Sequence, residues 1–189
     1  MSQNTTDRVR WTTTDIDLLA SSDYKRYEIV DGELFVTGAL HWTHQETCGN
    51  ICIELESWSR VKGLGQANIH PGIIFTDSDS VIRDVVWITN ERLAILLNED
   101  GHLTGAPELV AEVLSPGAEQ ERRDKEAKLK LYSLRGVQEY WIADWRLQQV
   151  EIYRRENAAL VLVATLTGDD ELNSPLLPDF ACPVARFFK

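Results

Sequence analysis

Two carboxylates stand where their neighbours argue for a dry environment. Glu112 lies in "ELVAEVLSP" (108–116), between Leu109, Val110, Ala111, Val113 and Leu114. Asp84 lies in "IRDVVWI", ahead of another apolar run. An ionised carboxylate taken out of water must be neutralised, paired or given a metal. Alternate residues of a strand share a face, which groups Val110, Glu112 and Leu114, and Asp84, Val86 and Ile88. If the two strands pair, the carboxylates meet at the rim of the sheet. Their repulsion is relieved when one is protonated or a divalent cation lies between them. Hard oxygen donors suit Mg²⁺ or Mn²⁺, which keep positions open for water and phosphate oxygens.

A cation is offered further along. Asp124, Lys128 and Tyr132 recur at every fourth residue, the spacing of one helix face, with Leu131 beside Lys128. Lys128 therefore projects from the apolar side, where an unpaired ammonium is costly, and contact with Glu112 would relieve both groups. The alternative for that contact is a structural buried ion pair. The window 121–135 holds six Lys/Arg against three acids, either a solvated helix face or a local phosphate-binding surface in an acidic chain.

Other chemistry-bearing residues read as structural. Asp77 and Asp79 in "FTDSDS" have calcium-loop spacing without the following Gly or distal Glu, so a surface turn is expected. Asp84 itself could be a strand-start turn contact. His41 and His44 stand near a helix start, where capping and core roles are common. Cys48, Cys52 and Cys182 form no even disulfide framework and no four-ligand zinc pattern. His44 and Cys52 lie about 12 Å apart along a helix, too far to share an ion. Buried structural thiols are expected.

The elements that must position these residues give a mixed α/β order. "TTTDIDLLAS" reads as a short capped helix in a lead-in of about 22 residues, and Asp31-Gly32 as the turn of a hairpin. Residues 41–63 form an amphipathic helix stopped at Gly63. Three β-like runs follow: "QANIHPGIIFT", "VIRDVVWIT" with a small helix after it, and "ELVAEVLS". A second long helix ends at Gly136, and strands from "QEYWIADWRLQQVEIYRR" and "AALVLVATL" complete a sheet flanked by helices. The 189 residues are expected to form a single domain. No run approaches the roughly 18 apolar residues of a membrane span, and the polar N-terminus lacks a secretory signal. A cytoplasmic protein is expected. A net charge of −11 disfavours nonspecific binding to polyanions, so a phosphate-bearing substrate requires concentrated cations or metal.

"YEIVDGEL", "RDVVWI", "PELVAEVLSP", the Asp124–Lys128–Tyr132 series and "GVQEYWIAD" together resemble the Uma family of restriction-endonuclease-like proteins, over about residues 27–187. The resemblance implies the PD-(D/E)xK nuclease superfamily, with core order αβββαβ, here with an N-terminal hairpin and extra C-terminal strands. It implies Mg²⁺- or Mn²⁺-dependent hydrolysis of DNA phosphodiester bonds. Asp84, Glu112 and the Val113 carbonyl would hold metal, and Lys128 would be the catalytic lysine. Leu114 stands where the superfamily lysine usually falls, so the lysine is displaced to the following helix. Arg83 replaces a usual Pro and Gly117 a usual Ser. His44, Glu33 and Glu28 match recurrent family positions and are candidates for support of the site. Six tryptophans, among them Trp141 and Trp145, suggest an apolar surface for a homodimer. The alternative is a nuclease-fold protein that binds a partner or nucleic acid without cutting.

Overall fold

The computed structural model describes residues 9–19, 25–117 and 123–189, with the side chains of Asp17, Arg123 and Asp124 outside the described set. In chain order the elements are α1 (Thr13–Leu19), β1 (Arg26–Val30), β2 (Glu33–Thr37), α2 (Trp42–Lys62), β3 (Gly65–Ile69), β4 (Gly72–Thr76), β5 (Asp79–Ile82), β6 (Val85–Thr89) and α3 (Asn90–Leu96). They continue with β7 (Leu109–Val113), a π-turn (Arg123–Ala127), α4 (Lys128–Arg135), β8 (Glu139–Asp144), β9 (Gln149–Glu156), β10 (Ala159–Thr167), β11 (Glu171–Ser174), β12 (Leu177–Pro183) and a final 3₁₀ turn (Val184–Phe188).

A six-stranded sheet in the order β10-β9-β8-β7-β6-β3 carries the core. Only β7 and β8 run parallel within it, joined through α4; the other pairings are antiparallel. All five residues of β7 are buried, as expected of a central strand covered on both faces. On one face α2 packs Cys48, Ile51 and Leu55 against Val85, Leu109, Ala111, Val113 and Trp141. On the other, Leu131 and Tyr132 of α4 meet Val86, Val110, Leu114, Tyr140 and Ile142. Gly65 in β3 permits a close approach: a Cβ there would strike the Ile88 carbonyl and the Trp87 ring. Trp87 in turn donates from Nε1 to Ser59 of α2 at 2.6 Å.

The expected hairpin at Asp31-Gly32 is present, with both turn residues at positive φ (51° and 74°), the geometry that matches strand twist. Two of the expected β runs are not single strands. "QANIHPGIIFT" breaks at His70-Pro71 into β3 and β4, and "VIRDVVWIT" breaks at Arg83-Asp84 into β5 and β6. The outer halves, β4 and β5, leave the main sheet and join the hairpin in a four-stranded sheet, β2-β1-β5-β4. The two breaks are laced together, His70 N–H to Asp84 carbonyl at 3.0 Å and Arg83 N–H to Pro71 carbonyl at 3.1 Å. They form one corner between the sheets.

Several expectations are corrected by packing. Asp79 is not a surface turn residue: it is buried, accepts the Asp31 N–H at 2.8 Å and pairs with Arg135. Trp141 lies in the core and Trp145 stacks on His41 at 5.0 Å, so neither supplies the exposed apolar surface expected of them. His41 caps α2, accepting from the Thr43 N–H. Among the described residues no helix is long and apolar enough to cross a membrane.

Cys48 and Cys182 are buried free thiols. Burial, with the Glu54 carboxylate nearby, pushes Cys182 up to about 12, and burial raises Cys48 further with help from Asp84 and Glu112. A thiol that keeps its proton longer when folded contributes stability that is intact below its unfolded pKa, near 9, and lost as pH rises through the folded value. Unfolding free energy should therefore decline between pH 9 and 12. At pH 7.5 Ellman's reagent should reach Cys48 and Cys182 only after denaturation; rapid labelling of either in native protein would contradict this core.

Candidate active site

Continuing the β6–β7 register one step beyond Val85↔Ala111 sets Asp84 opposite Glu112. Both line a cavity of about 20 Å³ with Arg26, Glu28, His44, Val113 and Lys128, room for one or two water-sized occupants. Asp84, Glu112 and Lys128 are thus brought together. Lys128, at the start of α4, donates to Glu112 Oε2 at 2.9 Å.

Arg83 is the unexpected member. Its guanidinium is 0% exposed and lies between two acids, donating to Glu112 Oε1 at 2.6 Å and pairing with Glu28. Tyr132 donates to the same Glu112 oxygen at 3.0 Å and also contacts Arg83, whose charge sits 5.4 Å from the Tyr132 ring centre. Burial would lower the Arg83 pKa, but the charges of Glu112 and Glu28 override it and raise it. Glu28 also accepts the Ile82 N–H at 3.1 Å. Glu112 is consequently held by two cations and a phenol. Arg83 is the centre of a buried ion network.

Asp84 faces two imidazoles. Its Oδ2 accepts the Val113 N–H at 2.9 Å and lies 3.4 Å from His44 Nε2. Its Oδ1 has Arg26 Nη1 at 3.6 Å and His70 Nε2 at 3.9 Å, both beyond hydrogen-bond reach. Burial would raise the Asp84 carboxyl, but its contact with His44, the Lys128 charge and the Val113 N–H hold it well below the usual carboxylate range. His70 Nε2 is buried without a hydrogen-bond partner among the described residues. Burial and the Arg26 guanidinium push its imidazole below the ordinary range, against the opposing pull of Asp84.

His44, Cys48 and Asp84 present donor atoms within 4.8 Å of one another, the one such trio among the described residues. A tetrahedral cage is not what these atoms make. Cys48 Sγ lies 3.5 Å from His44 Nδ1, while Nε2 of the same ring faces Asp84. Three donors fall short of that cage, and burial with the charges of Asp84 and Glu112 keeps the proton on the Cys48 thiol, whereas a metal takes the thiolate. The Cys48 thiol can donate to Nδ1, while Nε2 faces the Asp84 carboxylate at 3.4 Å. Oxygen donors suit a hard divalent ion better: Asp84 and Glu112 line one cavity, and Asp84 Oδ1, beside the His70 nitrogen, receives no hydrogen bond from the described residues.

Of the supporting candidates, Glu28 and His44 line the cavity and Tyr132 fixes Glu112 from behind. Glu33 starts β2 on an exposed position and does not line it. The Asp124 backbone lies in the π-turn, with its side chain outside the described set. The basic window is less open than its composition suggests. Lys125 pairs with Glu151 at 2.6 Å, Arg135 with Asp79, and Lys128 is buried. Sequence reading missed His70 and the ionic role of Arg83. A histidine directly before proline, in a run otherwise suited to a strand, was the available signal for the first.

Fold and site together define a restriction-endonuclease-like α+β protein with an acid pair and a helix-borne lysine at the sheet rim. Residues 14–185 match the model of the Uma2 family, described as "Putative restriction endonuclease", and the chain belongs to that family. The fold is shared with a solved structure described as "a putative nuclease belonging to DUF820" from Anabaena variabilis, at 18% identity and TM-score 0.71, covering 92% of this chain and 96% of that one. No curated protein matches. Family membership supports a nuclease-like function.

Two consequences can be measured. Arg83→Met leaves two buried carboxylates short of their cation and should lower the unfolding free energy in urea by roughly 3–5 kcal/mol; a loss below about 1 kcal/mol would contradict the network. Asp84 has a depressed pKa, so its contribution to stability is present above the ordinary carboxylate range and lost as pH falls through the folded value. The acid limb of a stability–pH curve should be shallower in Asp84→Asn than in wild type.

Proposed function

We propose that the protein is a divalent-metal-dependent endonuclease acting on DNA. The observation that carries this reading is the convergence of Asp84, Glu112 and Lys128 on one cavity at the rim of the sheet. Asp84, Glu112 and the Val113 carbonyl would hold Mg²⁺ or Mn²⁺. When bound, the ion supplies Lewis-acid polarisation of a phosphate oxygen and lowers the pKa of a coordinated water. The chain's own residues do the rest. Val113 N–H and His44 fix Asp84 through Oδ2, and Tyr132 and Arg83 fix Glu112 through Oε1. Lys128 keeps an ammonium at the point where negative charge builds on the phosphate. Arg26, at the cavity wall, adds positive charge in an acidic chain. The small cavity suits a phosphodiester presented from outside. A homodimer belongs to the same reading, supported by the edge strand β10, on which Val161, Leu162 and Val163 are exposed.

A second reading, a nuclease-fold protein that binds without cutting, is favoured by one observation: Arg83 and Lys128 already neutralise Glu112. Cleavage of supercoiled and single-stranded DNA with Mg²⁺ or Mn²⁺ separates the two. Wild type should cut, and Asp84→Asn and Lys128→Met should each be slower by at least about 100-fold. Equal cleavage by wild type and Asp84→Asn, or cleavage undiminished by EDTA, would defeat the enzyme reading. DNA binding without any cleavage would support the second.

A further inference from the structure

His70 carries three peculiarities at one place. Its backbone has φ 56°, a left-handed conformation that a non-glycine residue rarely adopts, directly before Pro71. Its N–H is bonded to the Asp84 carbonyl, so the two residues are locked together across the corner. Its Nε2 is buried, lacks a hydrogen-bond partner among the described residues and lies 3.9 Å from Asp84 Oδ1. Unfavourable backbone conformations persist where surrounding structure enforces them, and they gather at ligand sites. A buried ring nitrogen without a partner costs stability unless something else binds it.

We propose that His70 is a ligand, through Nε2, of the divalent ion carried by Asp84, which makes the site a mixed carboxylate–imidazole one with a preference for Mn²⁺ over Mg²⁺. This rests on the reading of Asp84 as a metal-holding residue. Nε2 and Oδ1 face each other across a gap of 3.9 Å. A shared hydrogen bond does not close that gap. Imidazole suits the transition metals, whereas Mg²⁺ prefers oxygen and its own waters. His44 is distinguished from His70 by having both ring nitrogens occupied, by Cys48 and Asp84. Arg26 is the competing cation at Oδ1, 3.6 Å away and 23% exposed on a flexible stem.

Calorimetric titration of the metal-free chain with MnCl₂ and with MgCl₂ tests this without reference to activity. His70→Asn tolerates the left-handed backbone and removes the nitrogen reaching Oδ1; circular dichroism would check its fold. Its Mn²⁺ affinity should fall roughly 10- to 100-fold, with Mg²⁺ affinity changed far less. Arg26→Ala should bind Mn²⁺ more tightly than wild type. Unchanged Mn²⁺ affinity in folded His70→Asn, beside weakened binding in Asp84→Asn, overturns the role of His70 and leaves Asp84 as a metal residue. Equal losses for both ions overturn the Mn²⁺ preference. No uptake of either ion by wild type overturns both the ligand assignment and the metal-dependent function.

Discussion

The charge on Glu112 has to be balanced where water cannot do it. β7 is buried along its whole length, and its single acid points into the layer beneath α4. Burying a carboxylate alone is prohibitive, and the mutual attraction of buried ions offsets desolvation only when geometry is good and the remaining lone pairs are satisfied. Here Oε1 takes Arg83 and Tyr132 and Oε2 takes Lys128, so both oxygens are used. The partners come from different places in the chain: the β5–β6 joint, the start of α4 and its second turn. Glu28, on β1, continues the chain of charge through Arg83 into the smaller sheet. One electrostatic requirement thereby fixes how the crossover helix and the outer sheet sit against the central strand.

The corner between the sheets has the same centre. Both strands that pass from one sheet to the other turn within a residue or two of a functional candidate, at His70-Pro71 and at Arg83-Asp84. Continuous strands would have held Arg83 and Asp84 on opposite faces of one sheet, by the alternation of side chains. The break lets adjacent residues serve different ends: Arg83 runs into the buried network, while Asp84 reaches the rim between two imidazoles. Backbone hydrogen bonds across the paired breaks keep this bend from being a loose hinge.

Much of this was legible in sequence wherever local pattern and long-range packing agree. The 31–32 turn, the long helix stopped at Gly63, the aliphatic run of β7 around Glu112 and the four-residue spacing of Lys128 and Tyr132 each state their own structure. Glu112 announced a partner because no other reading suits a charge among aliphatic residues, and Lys128 was the cation whose face matched. The breaks inside two β runs were not legible, since β-branched residues on either side of them suit strands equally well. Nor could the run itself say that Asp79 is covered by Arg135, a residue 56 positions away in the chain. Arg83 stayed hidden for another reason: an arginine before an acid normally reads as solvated, and only tertiary context leaves it with 0% exposure.

The network also decides how a divalent ion could enter. Glu28, Asp84 and Glu112 are matched in the same region by Arg26, Arg83 and Lys128. Two further positive charges are unfavourable unless a resident cation withdraws. The three are not equal in their freedom to do so. Arg83 is sealed between two acids and a tyrosine, and its departure would strand Glu28 and Glu112 together. Lys128 is nearly as enclosed, held against Glu112 Oε2 at the cavity wall. Arg26 touches the site at longer range, is part-exposed, and can carry its charge toward solvent or an incoming phosphate at small cost. Exchange at Asp84 Oδ1 is therefore the least expensive opening in the network, and it lies on the side of the aspartate that faces His70.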